Sequence, residues 1–244
     1  MITRPVTSYK EIDFAAGQTI LIDKPLDITS FDVIYRLRRV IHLKKIGHAG
    51  TLDPKATGLL IICTGKSTKK IDSYMGLPKE YTGTFILGEQ TPSMDTETDV
   101  HIKLESSHIS FDDILKAVGE LTGEIDQLPP MYSAVSKNGT RLYSLARKGE
   151  TIEREPRRVF VDEFEISSYQ HPVVNFRVVC SKGTYIRVLA HDLGEKLGCG
   201  AYLSSLRRTA IGEYRVEDAV TIESFKEIYN SVSEEVNGEH ENLS

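Results

Sequence analysis

A loop with three glycines and a proline runs directly into an aliphatic stretch at residues 47–63, GHAGTLDPKATGLLIIC. Glycine permits close backbone approach, and Pro54 biases the preceding Asp53 towards extended backbone, which predicts a loop. The run LLIIC that follows, at 59–63, predicts a buried strand. A buried strand needs a substantial core, and a chain of 244 residues with 40% hydrophobic residues can supply one.

Strands and helices are mixed along the rest of the chain without strict alternation. Helices are predicted from Thr29 or Ser30 onwards and at 66–75, 111–121 and 185–198, and strands at 19–25, 59–63, 81–88, 157–167, 173–180 and 202–216. A loop-like, proline-rich and basic segment occupies 124–156. This order favours an α+β fold, in which helices flank a largely antiparallel central sheet.

The length of 244 residues suits one large domain or two small ones, and the composition predicts an acidic tail at 229–244. The tail holds four glutamates, no lysine or arginine and few apolar residues, a composition typical of disorder. We therefore expect the tail to be disordered.

Basic residues form clusters, although the net charge is −5. The clusters are RLRRVIHLKK (36–45), KSTKK (66–70), RLYSLARKG (141–149), REPRR (154–158) and LRR (206–208). Each is either a solvated surface or part of a basic face that binds a polyanion. The sequence leaves both interpretations open.

Several kinds of chemistry are disfavoured because their motifs are missing. Cys63, Cys180 and Cys199 are widely spaced and odd in number, which argues against a disulfide framework and a structural zinc site. The pattern TGKST (64–68) ends like a phosphate-binding P-loop, but Leu60 stands where its first glycine should be. With neither a leader peptide nor a run of ~18 apolar residues, we expect a cytoplasmic protein without a membrane segment.

Asp53 itself admits two interpretations. An aspartate before a proline can close a turn or cap the next segment. An ionised carboxylate is also a nucleophile or base that needs no cofactor. The residue types alone do not decide between these roles.

The loop and several other blocks resemble a known family. GHAGTLDPKATGLL is similar to a signature of the bacterial tRNA pseudouridine-55 synthases, the TruB family of pseudouridine synthases. Four further blocks are similar to family blocks and occur in the family's order: KEYTG (79–83), QLPPMYSAVSKNGTRLYSLARKG (127–149), CSKGTYIRVLAHDLGEKLG (180–198) and LSSLRRTAIG (203–212). Lys24 and Pro25 match an early K-P pair of the family, which we interpret as support for the loop. The resemblance covers about residues 17–228.

This resemblance implies a pseudouridine synthase fold and an isomerase that converts a uridine in the tRNA T loop. It makes Asp53 the catalytic nucleophile of a domain at 1–228, working without a cofactor or a metal on a flipped-out base. The segment 137–158 would be an insertion that contacts RNA, although Ser136 stands where relatives often have a basic residue. Many relatives carry a further C-terminal RNA-binding domain of the PUA type, and here we expect only the acidic tail.

The resemblance also implies substrate-binding residues. Tyr81 stacks on the flipped base, and Tyr185 lies against it. Arg187 pairs with Asp53, and His48 helps to fill the space that the uridine leaves. Without the family, the tyrosines would be ordinary residues at the edge of the core and the arginine a solvated one.

We therefore predict that the chain binds the T-arm stem-loop of tRNA as a monomer, with no obligatory protein partner. One rival is a non-catalytic RNA-binding or tRNA-folding module, in which Asp53 is only structural. A second rival is a pseudouridine synthase that acts on another RNA. Asp53, Tyr81 and Arg187 together favour an enzyme over the binding module.

Overall fold

Helices and strands alternate irregularly in the computed structural model, which describes residues 1–3, 12–133, 136–137, 140–146 and 148–241. The α-helices are α1 (Phe14–Gly17), α2 (Ser30–Ile41), α3 (Ile71–Gly76), α4 (Phe111–Gly119), α5 (Leu142–Ala146), α6 (Ile186–Lys196) and α7 (Ile222–Glu241), and Gly65–Lys70 and Val216–Asp218 form 3-10 helices. The strands are β1 (Thr19–Lys24), β2 (Ile46–His48), β3 (Ala56–Thr64), β4 (Lys79–Leu87), β5 (Glu89–Gln90), β6 (Ile102–Lys103), β7 (Gly123–Gln127), β8 (Ser136–Lys137), β9 (Thr140–Arg141), β10 (Arg157–Gln170), β11 (Val173–Cys180), β12 (Ala201–Ile211) and β13 (Tyr214–Arg215).

The chain divides into two compact units. The first unit comprises Met1–Leu77 and Arg207–Ser244, and the second comprises Pro78–Leu206. Strand β12 contributes its last five residues to the first unit and its first six to the second. The boundary of a single domain at 228 stays a prediction.

The C-terminal segment differs from the expected disordered tail, because α7 continues to Glu241. Apolar residues recur at helical spacing from the first turns of α7 into the tail sequence. They are Phe225, Ile228, Val232 and Val236. The last three residues of the predicted tail lie outside the described residues.

The first unit is built on antiparallel strands. Strand β1 pairs with β3, with Thr19 opposite Cys63 and Lys24 opposite Gly58. The short β2 pairs with the end of β3, and β13 pairs with β12. Its strand order is β1-β3-β12, so β3 is the central strand of this unit.

Apolar layers cover both faces of β3. On one face, strand residues pack against α2 and α7: Ile20, Ile22, Leu60, Ile62, Val33, Ile34, Leu37 and Phe225. On the other face, a second cluster contains Leu21, Leu59, Ile61, Cys63, Tyr74 and Ile211. A strand covered on both sides reads as a continuous apolar run, so the predicted buried strand at 59–63 is confirmed.

The second unit contains the strand order β12-β4-β11-β10-β7, and the pairs that β11 makes with β4 and β10 and that β10 makes with β7 are antiparallel. Strands β10 and β11 form the predicted strand pair. The core between the sheet and its helices includes Phe85 and Phe176, whose rings stack with centroids 4.0 Å apart, and Phe164 meets both edge-on. The predicted α+β class with a largely antiparallel sheet is confirmed.

Strand β7 overlaps the start of the segment 124–156 that the sequence predicts to be a loop, and that prediction is wrong for residues 124–127. These residues pair with β10, with Gln127 opposite Arg157. Strand β7 is the last strand in the order and exposes Glu124 and Asp126. An edge strand that carries charges resists edge-to-edge association, and the same charges remove the apolar alternation by which a strand is recognised.

Candidate active site

Asp53 is half-buried in the loop between β2 and β3, at a point where neighbouring groups fix the backbone. The Ser30 hydroxyl, at the start of α2, donates to the Leu52 carbonyl at 3.1 Å and accepts from the Leu52 amide at 2.9 Å. The Ala56 amide donates to the Asp53 carbonyl at 3.1 Å. The aspartate is therefore held in a defined turn next to a helix N-terminus.

Lys24 is completely buried below this loop. Its Nζ donates to the carbonyls of Pro25 (2.9 Å) and Ile28 (2.7 Å) and lies 3.5 Å from that of Pro54. Burial lowers the pKa of Lys24 to about 8, and the negative charge of Asp53 opposes that shift. Lys24 is thus mostly protonated at neutral pH and places a positive charge near the Asp53 carboxylate.

Arg208 is the second buried cation at the loop, with 1% of its surface exposed. Its guanidinium donates to the carbonyls of Leu59 (2.7 Å), Gly50 (3.2 Å) and Thr51 (3.4 Å). Arg208 thus holds the backbone before Asp53. We call Lys24 and Arg208 the carbonyl clamp, because together they bind backbone oxygens on both sides of the aspartate.

Gly58, at the start of β3, makes room for this arrangement. Its φ is +104°, and a Cβ placed there would lie 2.3 Å from the backbone oxygen of Arg208. Side chains rarely adopt this φ, and the approach is shorter than real Cβ contacts allow. Only glycine fits where the neighbouring strands β3 and β12 approach this closely.

His48 ends β2 and is half-buried. Burial lowers its pKa, and the positive charge of Arg208 lowers the pKa further, while a backbone hydrogen bond with Gly50 acts in the opposite direction. The imidazole is therefore neutral at neutral pH. A neutral ring can contact an apolar or aromatic group without the cost of desolvating a charge.

The second unit holds the other predicted site residues. Tyr81 is buried on β4, opposite Val178 of β11. Tyr185 caps the N-terminus of α6, and its backbone is fixed by Gln127, whose side chain accepts from the Tyr185 amide (2.7 Å) and donates to the Tyr185 carbonyl (3.1 Å). The Arg187 guanidinium lies 5.9 Å from the centre of the Tyr185 ring, so this unit brings these two residues together.

Arg187 is buried, with 3% of its surface exposed, and lies 3.5 Å from the carboxylate of Asp95. Asp95 is buried as well, and it also accepts from the Glu97 amide at 2.9 Å. The expectation of a solvated arginine outside the family context is therefore wrong. The pairing of Arg187 with Asp53, and the roles assigned to Tyr81 and Tyr185, stay predictions.

The predicted RNA-contacting insertion is described in part. Arg147 and the side chains of Ser136, Lys137 and Arg141 lie outside the described residues. Arg154 donates to the Pro129 carbonyl at 3.1 Å, which ties the later part of the insertion to the chain that precedes it.

The described part of the chain also bears on three other features: reactive cysteines, metal-binding groups and membrane-spanning helices. All three cysteines are buried and free, and burial raises the pKa of Cys180 to about 12. Among the described residues, no group of three histidine, cysteine, aspartate or glutamate side chains is placed to hold a metal ion. No described helix combines the length and the apolar character needed to cross a membrane.

Comparisons with known proteins identify the family. A model of the N-terminal domain of TruB family pseudouridylate synthases matches residues 38–186, and a model of the tRNA pseudouridylate synthase B C-terminal domain matches 187–243. A curated relative from Flavobacterium johnsoniae, named tRNA pseudouridine synthase B, is 50% identical over 222 residues, which are 88% of this chain and 97% of the relative. The protein of the same name from Phocaeicola vulgatus is 46% identical over 222 residues, 88% and 94% of the two chains.

The chain belongs to the TruB family of pseudouridylate synthases. It is therefore a pseudouridine synthase, as the resemblance implied. Its fold is similar to that in a crystal structure of a Cbf5-Nop10-Gar1 complex, with 31% identity and a TM-score of 0.73 over 93% of this chain and 58% of the other. It is also similar to an H/ACA RNP bound to a substrate RNA containing 2'-deoxyuridine, with 28% identity and a TM-score of 0.68 over 91% of this chain and 56% of the other. This chain thus spans less than two thirds of those solved chains.

Two buried charged residues that contact candidate site residues or the backbone of the Asp53 loop were missed by the sequence interpretation. Arg208 was counted in a surface cluster at 206–208, and the structure corrects this, because Arg208 is buried. The available signal was strand alternation, since Arg208 shares a strand face with the apolar Ala210. No sequence pattern marks Asp95 as the partner of Arg187, because the two residues are far apart in the sequence.

Proposed function

We propose that the chain isomerises a uridine to pseudouridine in the T loop of tRNA, with Asp53 as the catalytic nucleophile and the target base flipped out. Family membership supports the reaction class, and the curated relatives named tRNA pseudouridine synthase B support tRNA as the substrate. The observation that carries the role of Asp53 is the carbonyl clamp. Two buried cations bind backbone carbonyls on either side of Asp53 and hold the loop that presents its carboxylate.

The reaction conserves every atom of the uridine. The bond between C1′ and N1 breaks, the uracil turns, a bond forms between C1′ and C5, and the proton on C5 is exchanged for one on N1. Lys24 places a positive charge near Asp53, and a nearby cation favours the carboxylate form of an aspartate. A carboxylate in that state can act as the nucleophile or base that the isomerisation requires.

Flipping the target uridine costs a few kcal/mol of stacking, which contacts in the protein must offset. In this proposal Tyr81 offers a ring face to the flipped base, and Tyr185, whose ring lies 5.9 Å from the buried Arg187 guanidinium, offers a second aromatic contact. The neutral His48 ring can fill the space left in the RNA loop without placing a charge there.

The reaction and its site on RNA are tested with unmodified tRNA transcripts and an isolated T-arm hairpin. We expect the purified chain to form one pseudouridine, in the T loop, as mapped by chemical labelling. The hairpin should be converted with a kcat/KM within about tenfold of whole tRNA, because loop shape and splayed bases carry recognition. Tight RNA binding without any pseudouridine would favour the non-catalytic module, and pseudouridine at another position would reject the T loop.

Asp53→Asn should abolish turnover and leave tRNA affinity within about threefold, because it removes the nucleophile while keeping the size of the side chain. The matched control is Asp27→Asn, which neutralises an exposed aspartate that pairs with Lys55 at 2.8 Å in the same unit. The control should keep its activity. Appreciable turnover by purified Asp53→Asn would contradict the mechanism.

A further inference from the structure

Helix α2 presents aromatic and basic side chains on its solvent face. Phe31 and Tyr35 are 61% and 53% exposed, although large aromatic rings are usually buried. Arg38 and Arg39 follow at seven and eight residues from Phe31, which places all four on one side of the helix. We call these four residues the α2 stripe.

Each ring of the α2 stripe is paired with a guanidinium. The Arg38 guanidinium lies 5.8 Å from the centre of the Phe31 ring, and that of Arg39 lies 5.9 Å from the centre of the Tyr35 ring. The rings are not needed by the core, because the opposite face of α2 supplies it with Val33, Ile34 and Leu37. The stripe is thus a surface of exposed rings with positive charge beside them.

The charge around the α2 stripe suits a polyanion. Residues 31–45 contain three arginines and two lysines, and their one acid is Asp32. Asp32 is engaged in the helix cap, where its carboxylate accepts from the amide (2.8 Å) and the hydroxyl (2.6 Å) of Thr29. An RNA strand offers both phosphates for the arginines and base faces for the rings.

The α2 stripe also begins and ends beside the candidate active site, within the same unit. Ser30, which precedes Phe31, is bonded to Leu52, the neighbour of Asp53. At the other end, Arg38 donates to the Ile46 carbonyl at 3.4 Å, at the start of the strand that ends in His48. A strand of RNA that delivers a nucleotide to Asp53 would have this face within reach.

We propose that the α2 stripe binds the RNA strand that flanks the target uridine, with bases stacked on Phe31 and Tyr35 and a phosphate bound by Arg39. This inference rests on the proposed function, because it takes the flanking strand from the substrate RNA. It adds a contact surface outside the pocket for the flipped base.

The test measures the affinity of the full chain for a T-arm hairpin. Tyr35→Ala and Phe31→Ala should each weaken binding about tenfold, as expected for the loss of one stacked base, whereas Tyr35→Phe should bind like the wild type. Arg39→Ala should weaken binding more than Arg36→Ala, its matched control, because Arg36 is also exposed on α2 but lies off the stripe. The rate constant for isomerisation at saturating RNA should stay unchanged, which separates binding from chemistry.

A second readout locates the contact on the RNA. Hairpins that carry 2-aminopurine at successive loop positions should show fluorescence quenching at one position next to the target uridine, and Tyr35→Ala should abolish it. If the wild type forms pseudouridine and Tyr35→Ala and Phe31→Ala bind the hairpin as tightly as the wild type, the proposed RNA contact of the α2 stripe is wrong. The proposed function would still stand. Weaker binding by these variants, in a chain that forms no pseudouridine, would support the stripe and reject the proposed function.

Discussion

Arg208 and Arg187 are both almost completely buried, yet their surroundings neutralise them in different ways. Arg208, in the first unit, donates to three backbone carbonyls. Arg187, in the second unit, lies against the buried carboxylate of Asp95. The Arg208 guanidinium thus binds backbone dipoles, and the Arg187 guanidinium lies beside a full negative charge.

The difference determines what each arginine can do. Carbonyl oxygens belong to the backbone, so bonds to them fix the course of a loop, and Arg208 can hold Asp53 in place from a neighbouring strand. An ion pair joins two side chains, so Arg187 and Asp95 fix each other's position. If one arginine is removed, dipoles remain in the first case and an uncompensated charge remains in the second.

The largest effect on folding is expected from Arg187→Met. The substitution leaves Asp95 buried without its cation, which should lower the free energy of unfolding by about 3–5 kcal/mol. A second substitution, Asp95→Asn, removes the stranded charge and should recover part of that loss. Urea denaturation of the single and double variants measures the loss and the recovery. A double variant as unstable as Arg187→Met would show that the charge of Asp95 is not what destabilises the single variant.

Arg208→Met should lower stability less than Arg187→Met does, and its main effect should be on activity. Loss of three hydrogen bonds should lower the free energy of unfolding by about 2 kcal/mol. Displacement of the Asp53 loop should lower kcat about a hundredfold with little change in KM. Arg207→Met is the control on the same strand, because Arg207 is partly exposed and pairs with Asp23 at 2.7 Å. That variant should change stability by less than about 1 kcal/mol, and equal losses of kcat in the two variants would contradict the clamp.

The smallest effect concerns Lys24 and pH. Its pKa of about 8 in the folded chain is below the ordinary value of 10.5, so the unfolded chain binds more protons between these values. The contribution of Lys24 to stability therefore rises with pH, by about 1 kcal/mol between pH 7 and 9. Lys24→Met should lack this rise, as measured by urea denaturation at both pH values. A parallel pH response in the two proteins would show that the buried ammonium titrates normally.

Regular elements were predicted well where one local pattern dominated. The apolar run at 59–63 and the strand pair around Pro172 were predicted because their patterning is continuous. The N-terminus of α2 was predicted at Thr29 or Ser30, and the structure shows Thr29 as the N-cap, in a capping box with Asp32. The predicted helix at 66–75 instead begins as a 3-10 turn, Gly65–Lys70, and becomes α-helical at Ile71.

The sequence named candidate site residues, whose roles stay predictions, but it did not show the contacts that hold them. Asp53 stood out because glycines and a proline surround it, and family resemblance supplied a role. The carbonyl clamp could not be predicted, because Arg208 meets its acceptors across about 150 residues of chain and backbone oxygens leave no mark in a sequence. Asp95 was missed for the same reason, since only the fold brings it to Arg187.

The close approach of β12 to β3 at Gly58 affects how tolerance to substitution should be interpreted in this chain. Every residue other than glycine would collide with the main chain at 208, so position 58 should reject all replacements in a saturation library, as Asp53 should. The two rejections differ in kind. Variants at 58 should be lost from the soluble fraction before any activity is measured, whereas variants at 53 should accumulate as folded, inactive protein. A library sorted first for abundance and then for pseudouridine formation would therefore separate architectural intolerance from chemical intolerance at two positions only five residues apart.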